Sequence, residues 1–128
     1  MNVLVDTHLL LWSLIQPERL SARARAILGK AENQLWFSAV NIAEIAIKTA
    51  LRKPGFDVDP EVFAARLRQN GYLELPVSAR HAAGLATLPA HHGDPFDRLL
   101  VAQAHAEGLS LLTSDRRLAL YEGPVHRV

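Results

Sequence analysis

Residues 2–15 read NVLVDTHLLLWSLI, a short apolar run from Asn2 to Val5, then Asp6 and Thr7, then a leucine-rich segment. Val3-Leu4-Val5 has the β-branched, apolar character of a buried strand. Asp6 ahead of Thr7 is a helix-start signal, because an aspartate carboxylate accepts the free N–H groups of a first turn. A strand handing to a helix through an acid is the repeating unit of parallel α/β sheets. The same alternation continues along the chain. Further strands are expected at Leu35 to Ser38, Tyr72 to Leu75, Leu109 to Thr113 and, weakly, near Val125.

Helical signals fill the intervals. Ser21 caps a stripe of Ala24, Ile27, Leu28 and Ala31, and Ile42, Ile45, Ala46, Thr49 and Ala50 form a second stripe at helical spacing. Asp59-Pro60 and Asp94-Pro95 each place a cap before a proline at the first helical position. Gly71 and Gly108 close the two helices that follow, and Ser78 opens a helix through Ala82, Leu85 and Ala86. The expected fold class is α/β, with a central, mainly parallel sheet flanked by helices in one domain over residues 1–128. Leu9, Leu10, Leu11, Trp12, Leu14 and Ile15 cover more than one face of the first helix. Either that helix is central or it meets a partner, as a dimer or complex interface.

Composition narrows the function classes. With 14 Lys+Arg against 13 Asp+Glu the formal charge is +1, so any polyanion site must be local rather than a property of the whole surface. The absence of cysteine excludes disulfides, thiolate nucleophiles and sulfur-ligated zinc. A metal would have to sit on oxygen or imidazole. No apolar run approaches the roughly 18 residues of a bilayer span, and Asp6 interrupts a signal-peptide reading, so a soluble, cytoplasmic protein is expected.

Four carboxylates, Asp6, Glu44, Asp97 and Asp115, fall where a strand ends or a helix begins. In parallel sheets those strand ends share one edge, where ligand sites gather. Taken singly, each acid reads as a cap. Asn41 to Glu44 and Asp94 to Asp97 have capping-box spacing, and Asp115 precedes Arg116, Arg117 and Leu118 as an N-cap would. Asp6 and Asp115 weigh against that reading, since each follows an apolar strand directly. Two carboxylates ~5 Å apart repel by roughly 3 kcal/mol at an effective dielectric near 20, so a converging set needs protonation or a cation. Oxygen-only ligation suits Mg²⁺ or Mn²⁺, and phosphodiester hydrolysis is the natural chemistry.

At the same residues the chain resembles the PIN-domain ribonucleases, and most of all the VapC toxins of bacterial toxin–antitoxin pairs. The matching pieces are Val3 to His8 (VLVDTH), Ser38 to Lys48 (SAVNIAEIAIK), His91 to Gln103 (HHGDPFDRLLVAQ) and Leu111 to Asp115 (LLTSD). They stand in order over nearly the full length. The resemblance implies a PIN fold and Mg²⁺- or Mn²⁺-dependent endonucleolytic cleavage of RNA. By position, Asp6 and Asp97 correspond to the principal metal ligands, Glu44 to the second acid and Asp115 to the fourth. Thr113 corresponds to a hydroxyl that orients water or a ligand beside that acid. Within DPFDR, Asp97 is taken as the third acid and Asp94 as the N-cap. A VapB-type antitoxin and a homodimer are also implied.

Arg98 is expected either to pair with the acids or to meet the substrate backbone. His91-His92 sits in a polar loop beside Gly93, where it reads as an exposed loop pair in preference to a phosphate contact, and His8, His81, His105 and His126 show no ligand spacing. Arg19, Arg23, Arg25, Lys30, Lys48, Arg52, Lys53, Arg116 and Arg117 are numerous enough to line an RNA path, although solvated helix faces account for most such residues. Two rivals stand beside the nuclease. One is a catalytically silent PIN-fold binding module, and the other is a receiver-like phosphoacceptor domain. The receiver needs a late lysine, and the last third of the chain has none.

Overall fold

The computed structural model describes residues 1–128. Its strands are β1 (Asn2–Val5), β2 (Gln34–Ser38), β3 (Leu73–Leu75), β4 (Ser110–Thr113) and β5 (Val125–Arg127). Its helices are α1 (Thr7–Ile15), α2 (Ala22–Gly29), α3 (Ala39–Ala50), α4 (Pro60–Gln69), α5 (Ala79–Ala83) and α6 (Pro95–Glu107). The five strands form one sheet in the order β3-β2-β1-β4-β5, and every neighbouring pair is parallel. This is the α/β architecture with a central parallel sheet that the alternating pattern implies. A receiver-type sheet runs 2-1-3-4-5, so the strand order sets that rival aside.

Strand β1 is fully buried from Val3 to Val5 and separates two apolar clusters. Val3, Val5, Phe37 and Leu112 join α1, α2 and α4 on one face, while Leu4 and Leu111 join Leu100, Val101 and Ala104 of α6 on the other. Burying each large apolar side chain contributes about 1.5–3 kcal/mol, so this double packing fixes where β1 and β4 end. From β1 the chain builds outward through β2 to β3, then returns to place β4 on the opposite side. That reversal opens a crevice at the carboxyl ends of β1 and β4. Each α-helix starts on a side-chain cap: Asp6, Ser21, Ser38, Asp59, Ser78 and Asp94. Gly108, at φ 66°, ends α6 in the left-handed conformation that glycine adopts without strain.

Three details differ from the sequence expectation. Helix α2 ends at Gly29, leaving Ala31 exposed in the turn beyond it. Helix α3 is rotated relative to its expected stripe: Val40, Asn41, Glu44 and Ile45 are buried, whereas Ala46 and Ala50 are exposed. Its capping box is Ser38 with Asn41, not Asn41 with Glu44, so Glu44 lies one turn deeper in the helix. The segment opened by Ser78 is a short α5 that tightens into a 3₁₀ turn at Gly84–Thr87. His81, rather than Ala82 or Ala86, is its buried residue. Helix α1 is central through Leu9, Leu10 and Leu11, with Ile15 left 46% exposed at its end. No helix is long and apolar enough to cross a membrane.

Candidate metal centre

Asp6 sits at the carboxyl end of β1 and uses its two oxygens differently. Oδ1 accepts from the N–H of Leu9 at 3.0 Å as the cap of α1, and Oδ2 accepts a short hydrogen bond from Thr113 Oγ1. Thr113, at the end of β4, also accepts from the backbone N–H of Asp115 at 3.0 Å. One buried hydroxyl therefore ties the first acid to the loop carrying the fourth. The next residue, Thr7, donates to Glu44 Oε1 at 2.5 Å and accepts from Asn41 Nδ2 at 3.0 Å. Asn41 also accepts from Ser38 N at 2.6 Å and donates to Val5 O at 3.3 Å, which locks the start of α3 against the end of β1. The rotation of α3 turns Glu44 and Lys48 to the crevice and Asn41 to the end of β1.

Glu44 is 2% exposed and its second oxygen meets Lys48 Nζ at 2.5 Å. The same ammonium reaches Asp94 Oδ2 at 3.3 Å. Burial works against the Lys48 charge, but Glu44 and Asp94 more than offset it and hold its pKa above the ordinary lysine value. Asp94 accepts from Phe96 N and Asp97 N as the cap of α6, so it is both the expected N-cap and a fifth carboxylate at the site.

His92 is not an exposed loop residue. Its side chain is 8% exposed, and Nε2 lies 3.1 Å from Asp115 Oδ2 and 3.2 Å from Asp97 Oδ2. The bland loop reading missed it because its partners are distant in sequence or hidden behind the helix start. Arg98 turns away from the acids. Its guanidinium donates to the carbonyls of Pro89 and His92 and to Tyr121 Oη, and it stands within 3.5 Å of Leu85 O. In place of the expected pairing with the acids, Arg98 clamps the 89–92 loop.

These residues surround a cavity of about 630 Å³ at the crevice, lined by Asp6, Glu44, Asp94, Asp97 and Asp115 together with Lys48, His92, His8, Trp12, Arg19 and Arg117. Their electrostatics are uneven. Burial, and then the charges of Asp94, Glu44, Asp6 and Asp115, push the Asp97 carboxyl up to about 8. Burial likewise raises Asp6, against its bonds from Thr113 and Leu9. Asp115 is lowered: burial opposes ionisation, but the hydrogen bonds from His92 and from the N–H groups of Arg117 and Leu118 outweigh it. Lys48 and His92 are the groups that pair with these carboxylates, and burial together with the repulsion of its neighbours falls on Asp97. Ligand atoms of His92, Asp97 and Asp115 all lie within 4.8 Å of one another. This oxygen-rich set fits a hard divalent cation, which would supply the missing charge.

Acids gathered at the switch point of a five-stranded parallel sheet define a class. The PIN domain family matches residues 3–124, and the chain belongs to it. Among curated proteins the chain is similar to Ribonuclease VapC22 of Mycobacterium tuberculosis, 29% identical over 124 residues, covering 96% of this chain and 94% of that protein. Its fold is similar to the crystal structure of VapBC2 from Rickettsia felis bound to a DNA fragment from their promoter. There the TM-score is 0.70 at 15% identity, over 99% of this chain and 98% of that one. VapBC-1 from nontypeable Haemophilus influenzae also shares the fold, with a TM-score of 0.63 at 14% identity over 99% and 98% of the two chains.

Proposed function

We propose that the protein is a VapC-type endoribonuclease, the toxin of a toxin–antitoxin pair, dependent on Mg²⁺ or Mn²⁺. The observation that carries this reading is the cavity at the β1–β4 switch point, where five carboxylates outnumber the positive groups and Asp97 resists ionisation. The similarity to Ribonuclease VapC22 along nearly the whole chain supports RNA as the substrate.

Asp6, Asp97, Glu44 and Asp115 would hold the ion. When bound, it polarises a phosphoryl oxygen and lowers the pKa of water, the two effects phosphodiester hydrolysis requires. Thr113 orients Asp6 and the 115 loop together. Lys48 lies between Glu44 and Asp94 and offsets one of their two charges. Arg19 and Arg117 at the cavity lining are placed to meet phosphates. His8 and Trp12, whose rings are 5.9 Å apart, line the same cavity, with the Arg19 guanidinium 4.6 Å from the Trp12 ring. Arg98 contributes by holding the loop that carries His92. Exposed Ile15, Ile47 and Leu51 supply apolar surface for a VapB-type antitoxin or a second copy of the chain.

The test compares RNA cleavage by the wild type with Asp6→Asn and Asp97→Asn, in Mg²⁺, in Mn²⁺ and in chelator. Asparagine also caps helices well, so Asp6→Asn keeps the start of α1. Loss of cleavage in both variants and in chelator is expected. Cleavage that survives all three would overturn the assignment, whereas ion binding without turnover by the wild type would identify a silent binding module. Coexpression with the neighbouring small gene should relieve growth arrest and yield a co-purifying complex.

A further inference from the structure

Resting on the metal-site reading above, we propose that His92 is a positioning residue of the centre. It donates Nε2–H to Asp115, with Asp97 Oδ2 3.2 Å from the same nitrogen, and so sets the spacing of their oxygens, and it does not ligate the ion itself. By proximity alone His92 would count as a ligand, since its ring nitrogen lies as close to Asp97 and Asp115 as a shared ion would require. The other side of the ring decides otherwise. Nδ1 lies 3.0 Å from the backbone nitrogen of Asp94, and a backbone N–H can only donate. Nδ1 is therefore the unprotonated nitrogen, and in the neutral ring the single proton sits on Nε2. A nitrogen that carries its proton has no lone pair to offer a cation. It does have a donor to offer Asp115 at 3.1 Å, and Asp97 stands 3.2 Å from the same nitrogen.

The ring is held from behind as well. The backbone N–H of His92 donates to Tyr121 Oη at 3.2 Å, and Arg98 Nη1 bonds the same hydroxyl at 3.2 Å. Arg98 also bonds Pro89 O at 3.0 Å, so the loop carrying His92 is fixed to α6 and to the turn after β4. Asp97 enters the site from α6 and Asp115 from the loop after β4. His92 bridges the two, as Thr113 bridges Asp6 and Asp115. The first coordination sphere is then entirely oxygen, which favours hard ions over borderline ones.

Two measurements test this. Long-range ¹⁵N–¹H NMR of the wild type should show His92 Nδ1 unprotonated and Nε2 protonated, and the pattern should persist on saturation with Mg²⁺. A protonated Nδ1, or loss of the Nε2 proton when Mg²⁺ binds, would overturn the proposal. Calorimetric titration with Mn²⁺ should find His92→Ala weakened by about 10- to 100-fold, the range typical of partners that orient metal-binding groups. His92→Gln, which keeps an N–H donor, should recover most of that loss. Equal affinity in His92→Ala and wild type, or no recovery in His92→Gln, would also overturn it. A wild type that binds no divalent ion defeats the metal-site reading instead, and the NMR pattern of the ion-free protein still decides which nitrogen donates.

Discussion

Helices α4 and α6 begin with the same local chemistry and end with different uses. Asp59 and Asp94 are both N-caps at φ −74° and ψ 117°, each followed by a proline at the first helical position. Each accepts two backbone N–H groups, Asp59 from Glu61 and Val62, Asp94 from Phe96 and Asp97. Asp59 and Glu61 are exposed, and the third helical position of α4 holds Val62, itself 56% exposed. In α6 that position is Asp97, turned toward four other acids. A cap motif thus sets a helix start wherever it occurs, and a site arises only where the sheet topology brings other acids to that start.

The sharpest way to break this comparison is to neutralise the two starts in turn. Asp97→Asn should reduce Mn²⁺-dependent RNA cleavage by about 100-fold or more, on the scale of losing a metal-binding group. Asp59→Asn, which keeps a capping side chain, should leave cleavage at the wild-type rate. A comparable loss in both would mean that the acids of α6 matter only as caps.

A second difference is expected in pH dependence. In the unfolded chain Asp97 ionises near its ordinary 3.8, whereas in the ion-free fold it ionises at about 8. Between those values the folded state holds a proton that the unfolded state has released, so stability falls as pH rises from about 4 to about 8 and levels off above. The slope is at most about 1.4 kcal/mol per pH unit for one such group. Thermal unfolding in chelator should therefore show a Tm that declines over this range, with the decline reduced in Asp97→Asn and offset by Mg²⁺ at pH 8. A flat profile in the wild type would show that Asp97 ionises normally.

Much of this was legible before the structure, for identifiable reasons. Strands β1 and β4 are contiguous apolar runs bounded by acids, and Ser21, Ser38, Asp59, Ser78 and Asp94 are capping residues at the helix starts. Asp6 and Asp115 stood out because each follows a strand. His92 and Lys48 did not, because what they touch is set by tertiary packing: Lys48 meets Asp94 across 46 residues and His92 meets Asp115 across 23. The rotation of α3 was hidden for a related reason. Hydropathy favoured the stripe through Ile42, Ile45 and Ala46, whereas the fold buries Asn41 and Glu44 because Thr7, Val5 and Lys48 satisfy their polar atoms.

Ion pairs extend the comparison at smaller scale. Glu44–Lys48 pairs a carboxylate side chain 2% exposed with an ammonium 21% exposed, whereas Arg68–Glu74 lies at 55% and 45%. Lys48→Met leaves a buried carboxylate without its cation and should cost about 2 kcal/mol in urea unfolding. That is below the roughly 3–5 kcal/mol of a wholly buried pair, because Lys48 keeps some contact with water. Arg68→Met should cost less than about 1 kcal/mol. Equal costs would mean that water screens the site as fully as it screens the surface.

The smallest effect comes from building the α6 pattern into α4. Val62→Asp places an acid at the third helical position behind Asp59 and Pro60, as Asp97 stands behind Asp94 and Pro95. Val62 is exposed and contributes little burial, and an acid in the first turn interacts favourably with the helix dipole, by about 0.3–1 kcal/mol at low salt. Urea unfolding should therefore show a slight stabilisation that fades as salt is added. Calorimetry should find no additional Mn²⁺ site, because the acids at that helix start, Asp57, Asp59 and Glu61, are all exposed and do not converge at a sheet edge. Acquisition of a divalent site by this single change would show that exposed acids on a helix start suffice, and that the convergence around β1 and β4 is not what makes the centre.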